Sequence, residues 1–369
     1  MSGPRVLIVT ATIGEGHDLP ARELAEGIRE ERPDATVEIV DGVAAMGRIL
    51  KVVLEDNSRW VFRPWMNWAF DLQYRLLQWR ATRWLASTLI YLLGARGLLR
   101  MIRAHDPDIV VSTYPGTTEV LGELRRRGRL EVPTASAITD LAGLRYWSHP
   151  GIDLHLITHP ESVEEVRAVA GNGTRVEAAR GLTVAGILDP RDRAEARRAL
   201  DLPADRRIVM VSGGGWGVGD LEGATEVALG LGDGLADVYV VALCGHNDLT
   251  RRNVERRYGH DPRVRVLGFT DRMSDLLAAS DALVHSTAGL TVLEAIIRGC
   301  PVISYGWGVA HIRANNEAYR RYGLADVALT RAELAEALRR ALAERPPGDM
   351  SFAELPSAAS LVLQAARPA

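Results

Sequence analysis

The chain has 369 residues, 47% of them hydrophobic and 25% charged, with a formal net charge of −3. That is enough chain for two domains with separate cores, and the near-neutral balance gives no global case for nucleic-acid binding. Cys244 and Cys300 are the only cysteines, so no disulfide framework and no thiolate metal site is expected, which fits a reducing cytoplasm. The start, MSGPRVLIVTATIGEGH, runs a short strand into a polar glycine loop and does not read as a signal peptide. The longest apolar run, Trp84 to Leu93, is interrupted by Ser87 and Thr88 and falls short of the roughly 20 residues that span a bilayer.

Arg5–Thr10 (RVLIVT) is a continuous apolar run, the pattern of a strand buried on both faces. Gly14-Glu15-Gly16-His17 follows, then a helix from about Leu19 to Arg32. Strand, Gly-x-Gly and helix open a doubly wound domain, although the motif is not a full dinucleotide fingerprint. The two glycines either make only a tight turn, with His17 capping a helix, or bring loop and imidazole to a ligand. Further strands are expected at Thr36–Asp41, Asp108–Ser112, Thr134–Thr139 and Asp153–Thr158. Their alternation with helical stretches predicts parallel α/β topology, with ligands at the carboxyl ends of the strands. The polar groups expected there are His17, the segment Tyr114-Pro115-Gly116-Thr117-Thr118, and Asp140.

Residues 57–103 interrupt the alternation. Trp60, Trp65, Trp68, Trp79 and Trp84 lie there, with Arg59, Arg63, Arg75, Arg80, Arg83, Arg96, Arg100 and Arg103 against the single acid Asp71. Indoles interleaved with guanidiniums suit the interface between water and anionic lipid. The alternative is a helical pair packed on its own domain with its arginines solvated.

Glu161 to Arg180 reads as helix and loop. Gly181–Asp189 reads as the crossover to a second domain, with the boundary near Thr183–Pro190 and a helix over Pro190–Leu200. Arg207–Ser212 is again a buried strand, ending in Gly213-Gly214-Gly215-Trp216-Gly217 before a helix over about Asp220 to Gly230. Glycines there let backbone approach a diphosphate closely. Val238–Cys244 ends in Cys244-Gly245-His246-Asn247, and Val264–Phe269 runs into Gly268-Phe269-Thr270. Ala282–His285 is a short strand, followed by a turn of small residues, Ser286-Thr287-Ala288-Gly289, and Leu290. A helix over Thr291–Arg298 then carries Glu294 in its first turn, and Pro301–Tyr305 is the next strand. Such a turn presents backbone N–H groups at the positive end of a helix, where phosphate binds well. Glu294 is placed to accept from a ribose diol. Helices are expected from Arg331 and over Ser351–Ala366.

These motifs resemble the GT-B glycosyltransferases, in the group of MurG and the monogalactosyldiacylglycerol synthases. The resemblance covers most of residues 5 to 325. Gly14-Glu15-Gly16-His17 resembles that family's first loop, and Thr139-Asp140…Trp147 its Thr-Asp…Trp segment. The glycine loop at Gly213 resembles the one at the same place in the family, and Cys244-Gly245-His246-Asn247 its Cys-Gly-Arg-Asn. The fold implied is two Rossmann-like domains facing across a cleft. Residues 1–185 would bind the acceptor, residues 186–345 would bind a nucleotide-sugar, and residues 346–369 would form a helix crossing back. One departure concerns the sugar: relatives carry Pro-x-Gln-Glu-x-x-Asn after the strand at Pro301, whereas here Gly308 to Glu317 keeps Asn315 and Asn316 but has no Gln-Glu pair. The sugar is therefore not legible.

What the resemblance implies is an inverting transfer of a hexose from a UDP-sugar to a lipid hydroxyl of the diacylglycerol type. His17 would be the base, and Asp140 the alternative base or the group that orients His17. Gly14, Gly16, Gly213, Gly214, Gly215, Asn247, Phe269, Thr270, Ser286, Thr287, Ala288, Gly289, Leu290, Thr291, Glu294, His311, Asn315 and Asn316 would meet the donor. Tyr114, Thr117 and Trp147 would meet the acceptor. No metal or other cofactor is expected, since glycine amides and a helix dipole can stabilise the departing diphosphate. Residues 57–103 would dock on an anionic membrane, placing the protein in the cytoplasm at the inner face of the plasma membrane. The rival functions are transfer to a soluble small-molecule acceptor, a UDP-sugar 2-epimerase of the same fold, and a non-catalytic nucleotide-sugar or lipid binder.

Overall fold

The structure is a computed structural model that describes residues 3–12, 15–56, 72, 76, 79–142, 144–232, 237–287, 289–306, 310–344 and 346–367. The expectations for Gly14, Ala288, Trp60, Trp65, Trp68, Arg59, Arg63 and Arg75 lie outside the described residues, as do those for the side chains of Arg80 and His311. The chain forms two compact units, Met1–Thr183 with Leu355–Ala369, and Val184–Gly308 with Ile312–Glu354.

In the first unit the strands are β1 (Arg5–Thr10), β2 (Thr36–Asp41), β3 (Ile109–Ser112), β4 (Thr134–Ile138), β5 (Leu154–Ile157) and β6 (Arg175–Ala178). They form one parallel sheet in the order β2-β1-β3-β4-β5-β6. The helices are α1 (Glu15–Glu31), α2 (Gly42–Met46), α3 (Arg48–Lys51), α4 (Arg80–His105), α5 (Pro115–Arg126) and α6 (Val163–Ala170). Successive residues of a strand face opposite sides, and β1 divides its side chains accordingly. Val6 and Ile8 pack with Leu24 and Ile28 of α1, while Leu7 and Val9 pack with Val43, Leu98, Ile102 and Leu121. An apolar run without alternation is what this two-sided burial demands. β6 was not expected, because the edge strand Arg-Val-Glu-Ala offers one apolar residue to one face and polar residues to the rest.

The second unit repeats the plan. Its helices are α7 (Arg193–Ala199), α8 (Leu221–Leu229), α9 (Asp248–Tyr258), α10 (Met273–Ala279), α11 (Leu290–Ile297), α12 (Ala310–Tyr322) and α13 (Arg331–Ala343). Its strands are β7 (Arg207–Ser212), β8 (Val238–Leu243), β9 (Val264–Leu267), β10 (Ala282–His285), β11 (Val302–Tyr305) and β12 (Asp326–Ala328). The order β12-β11-β10-β7-β8-β9 reverses direction between β7 and β10, the position at which doubly wound sheets bind ligands. The equivalent reversal in the first unit lies between β1 and β3. At the opposite, amino end, Asp281 is 4% exposed and accepts from Ile208 N at 2.7 Å and from an Arg197 guanidinium nitrogen at 2.8 Å, which ties β7 to α7. The last helix, α14 (Ala358–Ala365), belongs to the first unit, where Ala359 and Leu361 join the core beneath α1. It is shorter than the expected Ser351–Ala366, since Pro356 interrupts the stretch and Ser357 caps the new start through Ser360 N.

α4 corrects the reading of the apolar run at Trp84. Ser87 and Thr88 do not interrupt it, and the helix continues for 26 residues. Ala81–His105 is long and apolar enough to cross a membrane by length and composition, with an 18-residue window of mean hydropathy 1.4, yet a third of that window is buried. The burial is one-sided in sequence. Tyr91, Ala95, Leu98, Leu99 and Ile102 are in the first unit's core, whereas Trp79 and Trp84 are each 69% exposed, with Leu85, Leu89 and Leu92 beside them in water.

Two histidines of the first unit respond to acid. Burial pushes His155 and His159 down to about 4. His159 has neither ring nitrogen hydrogen-bonded among the described residues. A histidine in unfolded chain titrates near 6.5, so below that pH the unfolded state takes up protons that the folded unit refuses. Stability is therefore insensitive to these groups above about pH 6.5, falls as pH drops, and levels off below about 4. His159→Leu removes one such proton without breaking a bond. Denaturant unfolding at pH 4.5 is expected to show the variant more stable than the parent by about 2–3 kcal/mol, with little difference at pH 7. An unchanged pH dependence would contradict a neutral His159.

Candidate functional site

In the first unit the site is built where β1 and β3 part. α1 begins at Glu15, a turn earlier than Leu19, so Gly16 and His17 are already helical. Pro20 inside the helix is the reason for the misreading, because proline normally marks a helix's first turn. His17 Nδ1 lies 3.0 Å from the carbonyl oxygen of Thr113, the residue after β3. A carbonyl only accepts, so Nδ1 carries the proton and Nε2 presents its lone pair. The ring is walled by Tyr114, edge-on at 5.1 Å, and by Trp147, tilted at 5.4 Å.

Asp140 does not reach His17 as its orienting partner. Its Oδ2 accepts from the Trp147 indole N–H at 2.8 Å, so it fixes the indole, and the indole packs on the imidazole. Thr117 is fully buried and shares hydrogen bonds with Ser112 Oγ at 2.6 Å and Tyr114 O at 2.9 Å. It shapes the β3 loop and does not face an acceptor. Asp18, which the sequence did not single out, follows His17 directly. Burial raises its carboxyl above the usual range, and a 3.0 Å bond from the Thr10 hydroxyl offsets part of that.

In the second unit the glycine loop after β7 faces the turn after β10. Gly214 has φ +66, and a Cβ there would lie 2.8 Å from Thr287 Oγ1. A Cβ on Gly213 would meet Gly217 and Val218 backbone at 2.6 Å. The loop is thus closed to side chains, as a close backbone approach requires. Gly289, with φ +118 and ψ −152, starts α11 without a side-chain cap among the described residues, and its N–H donates to the Tyr319 hydroxyl at 3.3 Å. Thr287 Oγ1 is 2.8 Å from Nε2 of His285, whose pKa burial lowers to about 4. Ser286 and Leu290 are buried, Thr291 half-buried.

Several polar residues expected at a donor are engaged inside the unit. Glu294 lies in the second turn of α11, is 2% exposed, and accepts from Val184 N–H at 3.1 Å, holding the main chain where this unit begins. Asn247 caps α9 through Thr250 N at 3.0 Å and donates to Trp216 O and Gly217 O, so it braces the glycine loop. Asn315 and Asn316 are buried, and Asn316 Oδ1 accepts from Ser304 Oγ at 2.6 Å. Thr270 Oγ1 accepts from Arg272 N at 3.0 Å, while the Phe269 ring is 48% exposed.

One described group has the composition of a metal site: Glu119, Glu123 and His149 bring ligand atoms within 4.8 Å of one another. The imidazole does not suit it. Gly151 N–H donates to His149 Nδ1 at 2.9 Å, so the ring proton sits on Nε2, the atom facing the carboxylates. Glu123 is also paired with Arg126 and Arg127 at 2.6 and 2.8 Å. The group is an ion-pair network.

The two glycine positions separate folding from access. A Cβ at Gly16 meets nothing within 4 Å, and alanine in an exposed helix is favoured by about 1 kcal/mol. Gly16→Ala is expected to hold or raise stability. Gly289→Ala forces a side chain into a conformation that glycine alone adopts readily and is expected to cost about 1–3 kcal/mol. Denaturant unfolding of both variants checks the contrast.

The family model for monogalactosyldiacylglycerol (MGDG) synthase matches residues 17–184, and that for glycosyl transferases group 1 matches residues 234–344. A processive diacylglycerol beta-glucosyltransferase of Bacillus licheniformis is 26% identical over 254 residues, covering 68% of this chain and 65% of its own length. One of Bacillus subtilis is 23% identical over 361 residues, covering 92% and 87%. Among solved structures, Acinetobacter baumannii MurG superposes with TM-score 0.56 at 13% identity, covering 98% of this chain and 99% of its own. The UDP-GlcNAc 2-epimerase from Neisseria meningitidis bound to UDP-GlcNAc gives 0.59 at 13%, covering 98% of each. Those two show the fold alone. With both six-stranded sheets wound as described and both halves of the sequence matched, the chain is a glycosyltransferase of the GT-B fold that resembles the monogalactosyldiacylglycerol synthases.

Proposed function

We propose that the protein transfers a hexose from a UDP-sugar to the hydroxyl of a diacylglycerol-like lipid, with inversion at the anomeric carbon. The observation that carries the reading is the His17 imidazole, fixed by Thr113 in the tautomer a base needs. It sits in the half of the chain that resembles lipid-directed synthases. In the second unit, Gly213, Gly214 and Gly215 and the start of α11 take the diphosphate, while Glu294, buried against Val184 N–H, holds the main chain where the unit begins. The acceptor oxygen bonds to C1 while the C1–O bond to UDP breaks. The leaving electron pair goes to the diphosphate, and the acceptor proton goes to Nε2 of His17. An α-linked donor then gives a β-glycoside. Amides and the helix dipole offset the diphosphate's charge.

Asp140 is a positioning residue in this scheme, acting through Trp147. The lipid acceptor is met at a membrane surface on the cytoplasmic side. Support for that comes from Trp79, Trp84, Leu85, Leu89 and Leu92, a row of exposed indole and leucine side chains continuing a helix rooted in the core. Burying each leucine at the headgroup boundary contributes about 1.5–3 kcal/mol, so attachment is peripheral and driven more by apolar area than by charge.

A screen of UDP-hexoses with and without diacylglycerol, read by mass spectrometry, tests the reaction. A β-glycosyl lipid is the expected product; interconversion of the UDP-sugar without acceptor would mark an epimerase instead. His17→Ala is expected to cut turnover by about 10²–10⁴-fold with UDP affinity intact. Asp140→Ala and Trp147→Phe each remove one partner of the same indole bond, so their losses in kcat should be similar and the double variant no worse than either. If Asp140→Asn alone matched His17→Ala, Asp140 would be the base.

Vesicle sedimentation tests the surface. The wild type is expected to sediment with diacylglycerol-containing vesicles, and a Trp84→Glu, Leu92→Glu variant to remain in solution with UDP binding unchanged. Retention by the double variant would remove α4 from the docking surface.

A further inference from the structure

Three buried hydroxyls gather where β3 meets α5. Ser112 and Thr117 are fully buried and Thr118 is 1% exposed. Hydroxyls taken out of water are costly unless each is bonded. Thr118 Oγ1 donates to Ser112 Oγ at 2.9 Å, and Ser112 Oγ lies 2.6 Å from Thr117 Oγ1. Thr117 Oγ1 in turn donates to the Tyr114 carbonyl at 2.9 Å. Taken in that order, each hydroxyl donates once. The same carbonyl accepts from Thr118 N–H at 3.0 Å, which fills its two lone pairs. The chain of hydroxyls thus ends on a single main-chain oxygen, that of Tyr114.

The ring of Tyr114 has a seat of its own. A Cβ on Gly116 would lie 2.7 Å from Tyr114 Cε1, 3.4 Å from Cδ1 and 3.5 Å from Cζ. Gly116 stands in the first turn of α5, with no left-handed backbone to account for a glycine. Glycine weakens a helix relative to alanine. What it gives here is room, since the ring lies across the place where a methyl group would be. From that seat the ring meets the His17 imidazole edge-on, centroids 5.1 Å apart and planes at 83°, a geometry aromatic pairs favour. The loop after β3 therefore holds the imidazole twice, by the Thr113 carbonyl and by the next residue's ring.

We infer that Gly116 is a positioning residue for the transfer reaction: it seats the Tyr114 ring against His17, on a main chain fixed by Ser112, Thr117 and Thr118. The inference rests on the proposed role of His17 as the base. Small misplacements of a catalytic group are costly in rate, whereas donor binding belongs to the other unit.

Steady-state kinetics of the full chain with a UDP-hexose and diacylglycerol test this, together with denaturant unfolding. Gly116→Ala is expected to lower kcat by about 10–100-fold with KM for the UDP-hexose unchanged. Tyr114→Ala is expected to match it, and the double variant to be no slower than Tyr114→Ala alone, because Gly116 acts only through the ring. Tyr114→Phe, which keeps the ring, is expected to retain kcat. In unfolding, Gly116→Ala is expected to destabilise the parent and to stabilise the Tyr114→Ala variant, which has no ring to strike. Wild-type kcat in Gly116→Ala overturns the inference. So do multiplying losses in the double variant, a Tyr114→Phe variant as slow as Tyr114→Ala, or a stability effect of Gly116→Ala that is the same in both backgrounds. Full turnover in His17→Ala overturns the base reading instead, a failure that the unfolding comparison does not share.

Discussion

The hydrogen bond from His17 to the Thr113 carbonyl joins the two loops that leave the first sheet at its point of reversal. Much of the first unit's chemistry follows from it. An imidazole whose Nδ1 proton is committed to a main-chain carbonyl keeps Nε2 as the acceptor nitrogen. The Tyr114 ring and the Trp147 indole then limit the ring's rotation, and Asp140 limits the indole's. A carboxylate can thus orient an imidazole that it does not itself touch.

The second unit solves a different problem with backbone. Gly213, Gly214 and Gly217 fold over one another so tightly that side chains are excluded. The polar side chains around them brace the loop and do not face outward: Asn247 holds Trp216 and Gly217, and Thr287 holds His285.

The sequence read well wherever a constraint acts on both neighbours at once. Strands β1, β7 and β10 are apolar because both sheet faces are covered, and their residues alone declare it. The glycine loop after β7 declares itself for a similar reason, since a Cβ at Gly213, Gly214 or Gly217 would collide with its neighbours. What failed was direction. Thr117, Asn247 and Asn316 have side chains that suit a ligand, yet all three turn inward to satisfy hydrogen bonds of their own unit. Nothing in a sequence tells which way a polar group points. The edge strands β6 and β12 were missed because exposure removes the apolar pattern.

α4 unites two mechanical roles in one element. Its C-terminal half is fixed among Leu98, Leu99 and Ile102 in the core. Its first dozen residues, about 18 Å of helix at 1.5 Å per residue, carry Trp84, Leu85 and Leu89 outward. Such a helix is a stiff strut with no hinge in its described length. A unit held to a surface by a strut cannot tumble independently of its anchor, so the anchor would set the height of the unit above the bilayer as well as the fact of its attachment. Were α4 the anchor, the stand-off distance of the unit would be set by the length of a single helix.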